Sequence, residues 1–397
     1  MLTVIVIGAG INGVVSAIEL KKRGHQVVLV DPGPLPHPLA ASSDISKAVR
    51  ALYGADEELT ALAERAIRGW HEWNKDFDLE LYHEVGVMFV RRRTIQPGDF
   101  EYESFQLLRE HGRKVERMNP ARLRERFPAW NADLYLDGVF DPEGGYVESG
   151  RVVAQLIKRA KDLGVKLREG GHFSQLHEND SGVEGVILRG GEQIAGDAVV
   201  AAAGAWTPHI LPWTRPFFRA TGHPTFHFKP NEPELFAPER FPMFGADISS
   251  TGYYGFPIGR EGVVKIGIHG PGREMFPESS ERLVTPEEEM EMREFIATTF
   301  PALTDAPIVS TRVCMYCDTP DGDFWIAPDP ERAGLVVAAG DSGHGFKFAP
   351  LLGGIIADAV EGKENPYSHK FRWRPEAPSG VSKEAARFDP GDGVTKD

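Results

Sequence analysis

Residues 3 to 31 read Thr3-Val-Ile-Val-Ile-Gly8-Ala-Gly10-Ile-Asn-Gly13-Val-Val-Ser-Ala-Ile-Glu-Leu-Lys-Lys-Arg-Gly24-His-Gln-Val-Val-Leu-Val-Asp31. The run Val4 to Ile7 is short, apolar and β-branched, the composition of a parallel strand buried on both faces. Gly8, Gly10 and Gly13 turn the chain into a helix that carries Val14, Ala17 and Ile18 at helical spacing. After Gly24 a second strand, Val27 to Val30, ends on Asp31. Strand, glycines, helix, strand and acid together form a dinucleotide-binding unit. The glycines allow a tight turn and close approach to a pyrophosphate, and the helix N-terminus offers it N–H groups and a positive dipole end. Asp31 stands where a carboxylate accepts bonds from ribose hydroxyls. NAD and FAD both fit this stretch.

The rest of the chain bounds what such a unit can belong to. At 397 residues it exceeds the size at which one core keeps growing, so two domains are expected. A net charge of −14 argues against nucleic acid or an anionic membrane surface as a partner. There is no apolar run long enough for a membrane span, and strand residues begin at position 3, where a signal peptide would lie. Two cysteines three apart make no disulfide framework. A reducing cytoplasm is the expected setting, and no metal site is expected.

After Asp31 a proline-rich loop leads to Ser43 or Asp44, which would cap a helix ending at Leu52; a longer helix should run from Glu57 to about Trp73. Alternation around Leu79 to Arg91 is β-like. Charged helical sequence follows from 101 to 126. The α/β pattern returns with a helix through Val152 and Ala160, a strand at Val165 to Leu167, a β-meander from Gly182 to Ile194, and a buried strand from Ala198. Several strands occupy 215 to about 313, interrupted by an acidic helix, Glu287 to Phe300. The last α/β unit spans Gly334 to Val360. The expected division is a Rossmann-like nucleotide domain of residues 1–78, 146–214 and 320–374, with a mostly β substrate domain of 79–145 and 215–319. The tail, 375–397, is rich in Pro, Gly, Ser and charge and is expected to add nothing to a core.

Four stretches carry candidate chemistry. In Cys314-Met-Tyr-Cys317 the spacing suits a redox pair, a thiolate tether for a flavin, or two buried structural cysteines; the partners for a zinc site are missing. In Val263-Val-Lys265-Ile-Gly-Ile-His269 a period of two puts Lys265, Gly267 and His269 on one face, with the glycine leaving room for a ring. The alternative is an edge strand with a solvated face. Gly340-Asp-Ser-Gly-His344-Gly-Phe-Lys347-Phe348 follows a strand and precedes a helix, so its N–H groups suit an electron-rich ligand and Lys347 a carboxylate. Lys47 and Arg50, three apart on the expected helix, would share a face and clamp a carboxylate.

Together these stretches resemble the D-amino-acid-oxidase superfamily of flavoproteins, in the branch of monomeric sarcosine oxidase and the fructosyl amino acid oxidases. The resemblance covers residues 3 to 374. It is carried by Val313-Cys-Met-Tyr316, Tyr254-Gly-Phe-Pro257, the Lys265-x-Gly-x-His269 strand, Ser342 to Phe348, and Gly204-Ala-Trp206. Asp44-x-x-Lys47, Asp318-Thr-Pro-Asp321, Gly340-Asp-Ser-Gly-His344 and Arg372-Trp-Arg-Pro375 are closer to the fructosyl enzymes. The resemblance implies FAD as cofactor, attached covalently through Cys314. It would be bound by Gly8, Gly10, Ile11, Asn12, Gly13, Asp31, Ser42, Ser43, Lys47, Gly204, Trp206, Gly343, Gly345, Phe346 and Lys347. It implies oxidation of a secondary amine on an amino acid, with O₂ reduced to H₂O₂ by a monomer. Arg50 and Lys347 would hold the carboxylate, Tyr254 and His269 shape the amine pocket, and Lys265 supply charge for oxygen reduction.

Sarcosine oxidases carry Arg at position 47 and basic residues at 42 and 43, where this chain has Lys, Ser and Ser. Substrate choice therefore does not transfer: sarcosine, other N-alkyl amino acids, cyclic imino acids such as pipecolate or proline, fructosyl amino acids and saccharopine-like compounds all fit the resemblance. A flavin dehydrogenase passing electrons to another acceptor is the rival, and Lys265 argues against it.

Overall fold

In the computed structural model, which describes residues 1–376 and 386–387, Thr3–Ile7 lies inside a six-stranded sheet. The order is Trp325–Pro328, Leu335–Ala339, Ala198–Ala201, Thr3–Ile7, Gln26–Asp31, Lys166–Glu169. All neighbours are parallel except Trp325–Pro328, which runs antiparallel to Leu335–Ala339. Val4, Ile5 and Val6 are wholly buried, which is why this strand reads as an unbroken apolar run. Helix Ile11–Lys22 makes the crossover to Gln26–Asp31 and lies against Ala349–Val360 and Ser149–Asp162. A Cβ at Gly13 would stand 1.7 Å from the Gly8 carbonyl oxygen, so close helix–strand packing requires glycine there. Arg23 and His25 close the helix ends: Arg23 Nη1 is 2.7 Å from both Asp358 and Glu361, and His25 Nε2 is 2.9 Å from Glu361. The fold is mixed α/β, as expected.

A second sheet of nine strands holds most of the intervening chain. Its centre is the long strand Arg219–Phe228, paired on one edge with Ile308–Asp318 and on the other with Val264–Ile268, both antiparallel. Beyond these come Tyr253–Phe256, Met243–Ala246, Val87–Arg91 and Asp137–Asp141. Val264–Ile268 is therefore an interior strand; the edge-strand alternative is excluded. The meander consists of Phe173–Asn179, Gly182–Leu188 and Gln193–Ala195, one strand more than its pattern suggests. Two expected helices appear at Glu57–Phe77, capped by Asp56, and at Pro286–Thr299, with a capping box between Thr285 and Glu288. No helix among the described residues is long and apolar enough to cross a membrane.

Two expectations fail. No helix runs from Ser43 or Asp44 to Leu52; Lys47–Val49 is a strand paired with Gly145–Val147. The would-be cap, Asp44, spends its carboxylate on the Ile45 N–H and on two lysines instead, and pairing with a remote strand overrides the local signal. The tail also contributes to the interior. Ala386 and Arg387 are buried, and Arg387 grips Asp318 through both nitrogens, at 2.6 and 2.8 Å. The remainder of the expected tail beyond 376 lies outside the described residues.

One contact ties a fold helix to the turn before Ala349–Val360. Trp70, 1% exposed, donates its indole N–H to the Lys347 carbonyl at 2.7 Å and stacks on Phe346 at 6.0 Å between centroids. Trp70→Phe keeps a ring but strands that buried carbonyl, so unfolding free energy by urea titration should fall by about 1–3 kcal/mol. An unchanged midpoint would contradict the contact.

Candidate active site

Two cavities meet between the two sheets, with Ile11, Ser42, Gly204, Ala205, Met315 and Asp341 among the residues that line both. The first is lined by Gly8, Gly10, Asn12, Asp31 and Trp206. Asp31 accepts the Ala9 and Gly33 N–H groups at 2.8 Å each, so it shapes the glycine turn as well as facing the cavity. Ser42 Oγ takes the Ile11 N–H at 3.0 Å. The helix itself starts on Gly10, which has no side chain to cap it. Asn12 Nδ2 donates to Asp341 at 2.9 Å, while its buried Oδ1 has no partner among the described residues. Burial pushes the Asp341 carboxyl up to about 6, although the Asn12 bond works against this. A helix start with glycine at its cap position, an orphaned amide oxygen and a tight glycine turn fit the anionic and polar parts of a dinucleotide. His172, Phe173 and Arg189 also line this cavity; they arrive on the meander hairpin, and no local motif marks them.

The second cavity lies against one face of the nine-stranded sheet. Residues directly opposite in antiparallel strands share a face. The register sets His223 against Cys314, Thr225 against Arg312 and Gly267, and His227 against Lys265 and Ser310. The face is thus polar in a sheet whose other face is apolar, and Cys314, Lys265, Tyr316 and His269 line the cavity from it. Gly267 makes room for a ring: a Cβ there would meet Tyr254 Oη at 2.9 Å, so the ring against the strand is Tyr254 itself.

Asp44 is the centre of charge. Its Oδ2 accepts from Lys265 Nζ at 2.6 Å and from Lys47 Nζ at 2.8 Å. Burial opposes its ionisation, but the two ammonium groups outweigh burial and hold the carboxyl far below the usual carboxylate range. Lys265 has the opposite balance. Burial, helped by Lys47, pulls it down to about 8 against the pull of Asp44, and its Nζ also donates to the Ser46 carbonyl at 2.8 Å. Lys47 stays protonated: Asp44 and Cys314 overcome its burial and raise it. Its Nζ lies 3.3 Å from Cys314 Sγ.

Arg50 and Lys347 line the same cavity. The Arg50 guanidinium lies 4.6 Å from the centroid of Tyr53 and bonds the Leu52 carbonyl. Lys347 Nζ donates to Tyr53 Oη at 2.8 Å and to the His344 carbonyl at 2.6 Å, and Tyr53 Oη lies 3.0 Å from His344 Nδ1. Tyr53 thus joins both cations. Burial pushes the hydroxyls of Tyr254 and Tyr316 up, so both stay neutral. Tyr316 stacks on His223 at 3.7 Å between centroids, and a Cβ at Gly343 would stand 2.2 Å from that ring, so the glycine turn can close only without a side chain. Gly343, Gly345 and Phe346 line the cavity beside it.

Of the expected site residues, all but two line one of these cavities. Gly13 serves packing, and Ser43 faces a separate outer cavity with Glu148, His227 and Arg312. Sequence reasoning misses Tyr53, Tyr316 as a site ring, and Arg387. Tyr316 follows Cys314 by two on a strand, which was a usable signal. Tyr53 and Arg387 had none.

A family profile described as DAO, FAD dependent oxidoreductase, matches residues 3–359. The chain is 27% identical over 370 residues to the monomeric sarcosine oxidase of Arthrobacter sp. (strain TE1826), covering 91% of this chain and 92% of that one. It is 28% identical over 420 residues to the L-saccharopine oxidase of Schizosaccharomyces pombe, covering 94% and 93%. The crystal structure of a thermally stable mutant of fructosyl peptide oxidase superposes with a TM-score of 0.85 at 21% identity, covering 98% of each chain.

Asp44→Asn would leave two buried ammonium groups without their counter-charge, and thermal melts at pH 7 should show a loss of roughly 3–5 kcal/mol. Because the folded carboxyl is depressed, its contribution is present in full above the unfolded value of about 3.9 and fades as pH falls below it. The gap between variant and parent should therefore narrow in acid. A gap that is constant from pH 7 to 3 would contradict the charge balance described.

Proposed function

We propose, because the chain belongs to the FAD-dependent oxidoreductase family, that it oxidises the secondary amine of an N-substituted amino acid. The product imine hydrolyses in water, and the electrons reduce O₂ to H₂O₂. The observation that carries this reading is one cavity holding two sets of cations, Arg50 with Lys347 and Lys265 with its Asp44 counter-charge, and meeting the dinucleotide cavity. The relatives named for sarcosine and L-saccharopine support an amino acid whose nitrogen is secondary.

In this reading residues 1–78, 146–214 and 320–374 form the FAD unit, and 79–145 with 215–319 form the substrate unit. Gly8, Gly10, Ile11, Asn12, Asp31, Ser42, Gly204 and Trp206 hold the nucleotide end. Gly343, Gly345 and Phe346 border the flavin, which is tied as a thioether to Cys314. Bound FAD supplies the acceptor for the hydride equivalent lost by the C–H beside nitrogen. Arg50 and Lys347 bind the substrate carboxylate and so fix which C–H faces that acceptor. Tyr254 and His269 border the amine. Lys265 sets a buried positive charge where oxygen gains electrons, in surroundings too dry to screen it. The enzyme works as a monomer, and two cysteines with no disulfide between them suit the cytoplasm.

A peroxide assay over a panel of N-methyl, cyclic imino, fructosyl and dicarboxylic secondary amines tests the reaction class. At least one should release H₂O₂ in air; none doing so would overturn the reading. For the active substrate, the rate constant of the oxygen step should decline above about pH 8, where Lys265 loses its proton. Lys265→Met should slow that step by roughly 10²–10³-fold and remove the decline.

A further inference from the structure

Arg387 lies beyond residues 3–359, the stretch that the family profile matches, yet it is 5% exposed. Its guanidinium joins two segments whose neighbouring residues line the second cavity. The two terminal nitrogens grip Asp318 at 2.6 and 2.8 Å, and Asp318 ends the strand that carries Tyr316. The Nε donates to the Gly270 carbonyl at 2.8 Å, and Gly270 directly follows His269. Tyr316 and His269 both line the cavity, with ring centroids 5.8 Å apart. The Arg387 Cζ stands 5.7 Å from the Tyr316 centroid, while Arg387 itself lines neither cavity.

A second run of contacts ties the same two segments together. Asp318 Oδ2 accepts the Thr221 hydroxyl at 2.6 Å, and Thr221 Oγ1 lies 3.0 Å from His223 Nε2. The His223 ring stacks on Tyr316 at 3.7 Å between centroids. The turn after His269 closes on that histidine: Gly272 has a φ of +69°, and a Cβ there would stand 2.6 Å from His223 Nε2. Burial opposes ionisation of Asp318, but the bonds and charge of Arg387 outweigh it and hold the carboxyl below the usual carboxylate range. A buried pair of this kind is costly to keep for stability alone.

We propose that Arg387 is a positioning residue for the amine side of the cavity, fixing the separation and tilt of Tyr316 and His269. This rests on the reading above that His269 borders the amine. Tyr316 is two residues before the carboxylate that the guanidinium grips, and His269 is one residue before the carbonyl that it grips. The donors of a guanidinium lie in one rigid plane, so neither segment can shift without losing its bond. Flavin reduction needs the reacting C–H held within a fraction of an ångström of its productive place, and the walls that hold the amine set that place. Oxygen reduction has no such demand on the amine wall.

The test uses purified holoproteins and the amine that the parent oxidises fastest in the peroxide panel. Stopped-flow mixing without oxygen gives the rate constant of flavin reduction, and mixing reduced enzyme with O₂ gives that of reoxidation. Arg387→Met should slow reduction at saturating amine by roughly 10–100-fold and leave the rate constant of reoxidation unchanged. Arg387→Lys, which keeps the charge but not the planar fork, should recover only part of the loss. A merely structural role would lower the yield of active holoprotein without changing the ratio of the two rate constants. Arg387→Met combined with Asp318→Asn leaves no buried charge unpaired, so its melting temperature should recover while reduction stays slow. Should Arg387→Met fail to accumulate, this double variant is read by the same criterion. Reduction as fast as in the parent, or equal slowing of both steps, would overturn the proposal and leave the reaction class standing. A parent that oxidises no amine of the panel would instead overturn the reading of the reaction, and this inference with it.

Discussion

A carboxylate buried between two ammonium groups constrains this molecule more than any other single feature. Asp44 cannot be ionised at that depth without Lys47 and Lys265, and neither lysine is tolerable there without Asp44. Satisfying all three draws together the loop after the first βαβ unit, the strand Val264–Ile268 and the strand Ile308–Asp318. That loop is more than 200 residues in sequence from either strand. The same requirement fixes which face of the nine-stranded sheet is polar, since Lys265 and Cys314 must both point at the segment that carries Asp44 and Lys47.

The six-stranded sheet makes the complementary end. Parallel strands leave helix N-termini and glycine turns along one edge, where open α/β sheets receive their ligands. Helix Ile11–Lys22 meets Ser42 and Asn12 meets Asp341, so the first and last α/β units of the chain close on one another. Trp70 couples this frame to the Lys347 turn, and Tyr53 couples Lys347 to Arg50. The frame thus reaches the cations of the second cavity through two aromatic side chains.

Local chemistry was legible in the sequence wherever a residue's partners are its neighbours. The βαβ unit, the capped helices Glu57–Phe77 and Pro286–Thr299, and the Ser342–Phe348 turn all follow from spacing and caps. The segment 44–50 misleads because Ser43 and Asp44 are good helix caps, while the real partners of Asp44 and Lys47, Lys265 and Cys314, lie far along the chain. Lys265 looked like a solvated face because no sequence pattern displays its counter-charge. Arg387 was invisible for the same reason: only the fold brings Asp318 to it. In each of these cases the missing information was a long-range polar partner, as it was for Tyr53, whose hydroxyl meets Lys347.

The central claim is that Asp44 keeps Lys265 charged in the proposed site of oxygen reduction. Stopped-flow reoxidation of substrate-reduced Asp44→Asn across pH 5 to 10 tests it most directly. With the carboxylate gone, burial and Lys47 both disfavour the Lys265 ammonium. The pH at which the oxygen step declines should therefore drop by about 1–3 units relative to the parent, with the rate recovering in mild acid. A variant whose decline stays where the parent's lies would contradict the account.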